Sequence, residues 1–170
     1  PAFAAPAPPP VLAPAGILLD AKTGNVLWSH NPDQKRPIAS TTKIMTSLLI
    51  LESGRLEETA QVSPTAAKVE ESSLNLKPGE HLTLENLLYG IIMRSANDAC
   101  VAAAEHLDGD TGKFVERMNA RAAELGRGWR VAARLYLGGA PGDRRPVAVL
   151  RRPGGGPGGP PPGRDRYLSA

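Results

Sequence analysis

The chain has 170 residues, of which 41% are hydrophobic and 22% are charged, values typical of one globular domain and not of a mainly disordered protein. It has no run of the roughly 18 apolar residues that a membrane-spanning helix needs. The single cysteine, Cys100, cannot form an internal disulfide, and the three histidines show no metal-ligand spacing. Composition therefore predicts a globular domain without a disulfide, a structural zinc site or a cofactor.

Charge divides the chain into two parts. Residues 1–126 carry eleven Lys and Arg against fifteen Asp and Glu, whereas residues 127–170 carry nine Arg, no Lys and two Asp. In this tail 17 of 44 residues are Gly or Pro, and we expect its low-complexity stretch 153–163 to be disordered. A basic tail can indicate a nucleic-acid binder, but this one has no helical stripe of Arg and few aromatic residues, so we expect no nucleic-acid partner.

The first residues, 1–14, are rich in Ala and Pro. Such a stretch is typical of the region just after a secretory signal peptide, and also of a flexible linker. We therefore expect an exported, extracytoplasmic protein whose folded part begins near Ala15, with a signal peptide that is not among these residues and no membrane attachment encoded here. The predicted domain covers residues 15–126, and residues 127–170 form the tail.

The folded part is predicted to begin with a β-hairpin and to continue mainly as helices. Strands at 17–20 and 26–28 flank Gly24 and Asn25, which tolerate the positive φ of a tight turn. A buried helix is expected from Ser40 to Gly54 because apolar residues recur there at helical spacing, namely Ile44, Met45, Leu48, Leu49 and Leu51.

Later helices are predicted from their capping residues and apolar faces. Ser63 followed by a proline favours a short helix to about Glu71, and Thr83 is suited to cap a helix that ends near Arg94. Two more helices are expected at 97–107 and 111–125, and two stretches of the tail, 131–137 and 146–150, are candidate strands.

The first chemical motif is Ser40-Thr41-Thr42-Lys43. On a helix, positions i and i+3 share a face, so a hydroxyl and an amine in the first turn can reach each other. A lysine can act as the base of a serine nucleophile if desolvation and the helix dipole disfavour its ammonium form, with Ile44 and Met45 supplying apolar surroundings. The Ser40 backbone N–H is a suitable oxyanion donor. The alternative is a capping serine followed by a solvated lysine.

A second motif, Ser95-Ala96-Asn97, follows an apolar helix. Its hydroxyl and carboxamide can converge on one point, the serine passing protons and the amide holding a substrate carbonyl. Ser73-Leu74-Asn75 has the same pattern. We favour Ser95 because predicted buried helices flank it, although either serine could simply be a helix cap.

In order and spacing, segments 16–24, 36–46, 87–90 and 94–99 resemble the D-alanyl-D-alanine carboxypeptidases, the low-molecular-mass penicillin-binding proteins. The resemblance covers residues 15–126. It implies the α+β fold of β-lactamases and transpeptidases, an antiparallel sheet packed against a helical cluster. It also implies that Ser40 is the acylated nucleophile, Lys43 its base, Ser95 a proton relay and Asn97 a substrate-binding amide. The implied partners are peptidoglycan stem peptides ending in D-Ala-D-Ala, with β-lactam antibiotics as covalent inhibitors.

The family's third motif, Lys-Thr-Gly on a sheet strand, is expected roughly a hundred residues after the second. Only Lys22-Thr23-Gly24 has this sequence, and it lies in the predicted hairpin, so we reject it as the catalytic triplet. Out-of-frame GC-rich codons would produce the Arg, Gly and Pro of the tail, as would a genuine lineage-specific extension. We therefore expect an incomplete fold, with the C-terminal sheet strands missing or replaced by a disordered tail, and a poorly active chain.

Three alternatives to a carboxypeptidase remain open. The first is a β-lactamase of the same fold, which the contexts 36–39 and 97–99 disfavour. The second is a non-catalytic remnant that binds penicillin or peptidoglycan. The third is a nucleic-acid binder that uses its basic tail.

Overall fold

The computed structural model describes residues 10–32, 34, 39–125, 130–132 and 147–149. Strands and helices are mixed along the chain, which confirms the α+β class. None of the helices in these ranges is both long and apolar enough to cross a membrane. The elements, in chain order, are β1 (Gly16–Leu19), β2 (Val26–His30), α1 (Thr42–Glu52), β3 (Thr59–Gln61), α2 (Pro64–Ala67), β4 (His81–Thr83), α3 (Leu84–Arg94), α4 (Asn97–Asp108), α5 (Thr111–Leu125), β5 (Arg130–Ala132) and β6 (Val147–Val149).

The N-terminal hairpin is confirmed, and its turn is closed by an aspartate. Strands β1 and β2 pair antiparallel, with Ile17 opposite Ser29. The Asp20 carboxylate accepts hydrogen bonds from the backbone N–H and the hydroxyl of Thr23, both at 2.7 Å. Gly24 has φ +72°, a conformation that favours glycine. The Lys22-Thr23-Gly24 triplet therefore belongs to a β-turn.

The strands form three separate antiparallel pairs, β1 with β2, β3 with β4 and β5 with β6. This differs from the expected single sheet packed against the helices. Strands β5 and β6 lie within or beside the two candidate strand stretches of the tail. The low-complexity stretch 153–163 lies outside the described residues, as does Pro37, which the sequence places in extended chain before Ser40.

Helix α4 is the centre of the helical cluster. It packs against α1, α2, α3 and α5, and every residue from Asn97 to Ala104 is buried. Four of these residues are alanines, whose small side chains allow neighbouring helices to approach closely. The largest fully buried side chain around it is that of Phe114, from α5.

Helix α1 is buried on one side only, which corrects the prediction of a fully buried helix. Thr46, Leu49 and Ile50 lie in the core, at the i, i+3, i+4 spacing of one helical face. Ile44 and Leu51 are instead 71% and 52% exposed, because the described helices cover only the opposite side of α1. Apolar spacing alone does not reveal which side of a helix its neighbours cover.

The predicted caps are confirmed, but one helix is shorter than expected. The Ser63 hydroxyl accepts a hydrogen bond from Ala66 N at 3.0 Å, and the Thr83 hydroxyl accepts one from Asn86 N at 3.2 Å. Helix α2 ends at Ala67 rather than near Glu71. Glu71 and Ser72 have positive φ values of 62° and 38°, so the chain there has left the helical conformation and crosses towards α4.

Gly90, in the middle of α3, is expected to be intolerant of a side chain. A Cβ at this position would lie 2.4 Å from Leu74 Cδ1, which is closer than van der Waals contact allows. Gly90→Ala should therefore lower the free energy of unfolding by about 1–2 kcal/mol, although alanine is the better helix former. Urea unfolding measures the change, and the double variant with Leu74→Ala should show a smaller Gly90→Ala effect because the clash is gone. Equal effects in the two backgrounds would contradict this explanation.

Candidate active site

Ser40 and Lys43 are brought together by the start of α1. Ser40 lies in a 3-10 turn, Ala39–Thr41, which continues into the helix. Lys43 follows within the first helical turn, and its Nζ lies 3.4 Å from Ser40 Oγ. The predicted i, i+3 approach of hydroxyl and amine is therefore present.

Ser95 reaches this pair from the junction between α3 and α4. It ends α3 in the left-handed conformation, with φ 56°, which turns the chain sharply before α4 begins. Its Oγ donates a hydrogen bond to Ser40 Oγ at 2.9 Å and accepts one from Lys43 Nζ at 2.9 Å. Three side chains, two of them more than 50 residues apart in sequence, thus form one hydrogen-bonded cluster.

Asn97 lies two residues beyond Ser95, on the first turn of α4, and is only 3% exposed. Its Nδ2 donates to the Glu71 carbonyl at 2.9 Å, and its backbone N–H donates to the Ser72 carbonyl at 2.8 Å. Its Oδ1 is buried and has no hydrogen-bond partner among the described residues. The Asn97 amide is thus held by the preceding segment while one acceptor stays available.

The alternative pair, Ser73 and Asn75, is engaged elsewhere. The Ser73 hydroxyl donates to Asp98 Oδ2 at 2.6 Å and accepts from Asn75 N at 2.8 Å. Neither residue is hydrogen bonded to Ser40 or Lys43. Of the two Ser-x-Asn motifs, the second therefore joins the cluster.

Sequence reasoning assigned no role to Asp98. Its carboxylate is fully buried and is surrounded by donors from residues 73–76. The available signal was a single charge among the otherwise uncharged residues 95–104, since a buried charge is costly unless it is hydrogen bonded.

The surroundings of Lys43 favour its neutral form. Burial lowers the pKa of the Lys43 amine, because desolvation disfavours the ammonium ion. The nearby Cys100 thiol has a smaller effect in the opposite direction, and burial raises the pKa of that thiol to about 12. Ile44, which was expected to contribute to this desolvation, is exposed. An amine with a lowered pKa beside a hydroxyl is suited to act as a base.

A serine hydroxyl that is hydrogen bonded to a second serine and to a partly buried lysine fits one class of protein, the serine hydrolases that use an amine in place of histidine. A family model of D-alanyl-D-alanine carboxypeptidases matches residues 2–127. The chain belongs to this family.

Individual relatives agree with this assignment. D-alanyl-D-alanine carboxypeptidase DacF of Bacillus subtilis is 41% identical over 119 residues, 67% of this chain and 31% of that protein. DacC of Escherichia coli is 37% identical over 129 residues, 69% of this chain and 32% of that protein. The crystal structure of DacD from Francisella tularensis superposes with a TM-score of 0.74 at 31% identity, covering 86% of this chain and 36% of that one. The chain thus spans about a third of the length of these relatives.

Proposed function

We propose that the chain carries the nucleophile of a serine D-alanyl-D-alanine carboxypeptidase, with Ser40 as the acylated residue. The carrying observation is the cluster in which Ser40 Oγ, Lys43 Nζ and Ser95 Oγ lie within 3.4 Å of one another. Nothing in the local sequence around Ser40 requires Ser95 to be there, because the two are 55 residues apart.

The proposed reaction is a two-step acyl transfer. Ser40 Oγ attacks the carbonyl carbon of the penultimate D-alanine, and its proton passes to the neutral Lys43 amine. The C–N bond to the terminal D-alanine then breaks, and the leaving nitrogen takes up a proton through Ser95. Water hydrolyses the resulting serine ester and regenerates the Ser40 hydroxyl. Each proton step needs contacts of hydrogen-bond length, which the cluster supplies for this chain's own groups.

The proposed substrate is a peptidoglycan stem peptide ending in D-Ala-D-Ala, and β-lactam antibiotics would acylate the same serine. Asn97 is proposed to contact the substrate near Ser40, using the amide that residues 71–72 hold in place. Because peptidoglycan lies outside the cytoplasmic membrane, we propose an extracytoplasmic location. This agrees with the Ala- and Pro-rich residues at 1–14.

Covalent labelling tests the assignment of Ser40. The chain is incubated with a fluorescent penicillin, denatured and separated by electrophoresis. We expect a labelled band whose label maps to Ser40 and which disappears in Ser40→Ala. Ser63→Ala is the matched control, because it also replaces a serine hydroxyl that makes one short contact, at 3.0 Å, in a different helix. Labelling that survives Ser40→Ala, or a wild-type chain that is never labelled, would contradict the proposal.

A second candidate function is binding without turnover. It is favoured by the sequence, in which Lys-Thr-Gly occurs only in the hairpin turn. A protein of this kind would be acylated by penicillin but would release no D-alanine from a D-Ala-D-Ala peptide. Measuring D-alanine release by the labelled chain distinguishes this function from that of a carboxypeptidase.

A further inference from the structure

Asp98 is a fully buried carboxylate that is satisfied entirely by neutral donors. Its Oδ2 accepts from the Ser73 hydroxyl at 2.6 Å, from Leu74 N at 3.0 Å and from Leu76 N at 3.1 Å. Its Oδ1 accepts from Ala99 N at 2.9 Å. Three of these four donors belong to residues 73–76, which precede Asp98 by more than 20 residues. The carboxylate therefore fastens that segment to the first turn of α4.

The same segment is fastened to Asn97 by bonds of the opposite polarity. The carbonyls of Glu71 and Ser72 accept from the side chain and the backbone N–H of Asn97. Residues 71–76 thus give their carbonyls to Asn97 and their donors to Asp98. We call these six residues the clamp segment.

The clamp segment has a backbone that needs such support. Glu71, Ser72 and Asn75 all have positive φ values, of 62°, 38° and 60°. Non-glycine residues pay an energetic cost in this region and keep it only where surrounding contacts impose it. Asp98 supplies the largest share of those contacts, so loss of its acceptors should let the segment relax.

Relaxation of the clamp segment would affect the candidate active site directly. Its Glu71 carbonyl is the partner that orients the Asn97 carboxamide, and Leu74 packs against Gly90 of α3. The segment thus touches both helices that meet at Ser95. We propose that Asp98 is a positioning residue, which fixes the Asn97 amide and the turn carrying Ser95 through the clamp segment. The effect on acylation rests on the proposed function, whereas the effect on geometry does not.

The experiment compares the full chain with Asp98→Asn, which keeps the size of the side chain but replaces one acceptor oxygen by a donor. Amide hydrogen exchange at Leu74 and Leu76 should accelerate about tenfold or more, while the amides of residues 101–104 stay protected. The side-chain carboxamide signals of Asn97 should shift. Ser73→Ala removes only one of the bonds and should produce a smaller change in the same direction, and it serves if Asp98→Asn does not fold. Ser63→Ala is the control and should change none of these signals.

Two readouts separate positioning from a merely structural role. The rate constant for acylation by penicillin should fall about tenfold or more in Asp98→Asn. The titration midpoint of Lys43, followed by NMR, should move by about half a pH unit or more because its partner Ser95 shifts. Faster exchange with both values unchanged would overturn the positioning role, as would unchanged exchange in a folded variant. If the wild-type chain is not labelled at all, the proposed function fails, and the Lys43 and Asn97 signals still decide the role of Asp98.

Discussion

Replacing Lys43 by glutamine should lower the rate constant for acylation of Ser40 by about 10²–10⁴-fold, the usual contribution of a general base. Glutamine keeps a polar group near Ser95 but cannot accept the Ser40 proton. The time course of labelling by a fluorescent penicillin measures the effect. Lys113→Gln, at an exposed position of α5, is the matched control and should label like the wild type. Equal rates for Lys43→Gln and the wild type would remove Lys43 from the mechanism.

The same assignment fixes the direction of the pH dependence. Only the neutral amine can accept a proton, so acylation should speed up as pH rises through the pKa of Lys43. Burial lowers that pKa, so the midpoint should lie below the ordinary lysine value of about 10.4. The dependence should vanish from the residual rate of Lys43→Gln. A wild-type rate that falls over this range would show that the ammonium form is the active one.

The largest expected effect on stability comes from Phe114→Ala. Phe114 is completely buried, and Arg117 of the same helix lies over its ring at 5.1 Å from the centroid. Truncation removes apolar contacts and leaves a cavity, so the free energy of unfolding should fall by about 3–5 kcal/mol. For a domain of this size the Tm should drop by about 10 °C or more.

Tyr89→Ala is the matched control for this loss, because it removes an aromatic ring that is 60% exposed. Its effect should stay within about 0.5 kcal/mol. Chemical denaturation of both variants measures the difference. Similar losses at Phe114 and Tyr89 would contradict the packing of α5 against α4.

Local chemistry made much of the fold predictable. The hairpin follows from turn residues that tolerate positive φ, and the starts of α2 and α3 follow from Ser63 and Thr83, whose capping bonds depend only on residues three positions away. Such interactions are encoded in a few consecutive residues. A sequence pattern is sufficient to identify them.

Features that depend on distant partners were not predictable in this way. The exposure of Ile44 depends on which helices cover α1, and the early end of α2 depends on bonds between residues 71–76 and α4. The Ser-x-Asn pattern at 73–75 looked equivalent to the one at 95–97. What distinguishes them is tertiary contact, since Ser73 bonds to Asp98 whereas Ser95 bonds to Ser40.

The position of α4 has a consequence for how the candidate site is lost on heating. Local openings of a protein begin where burial is sparse, and the most buried helix exchanges its amides only when the whole domain opens. Asn97 and Asp98 begin that helix and belong to its unbroken buried stretch. The cluster around Ser95 should therefore share the cooperative melting transition of the core. Thermal loss of labelling should coincide with global unfolding instead of preceding it.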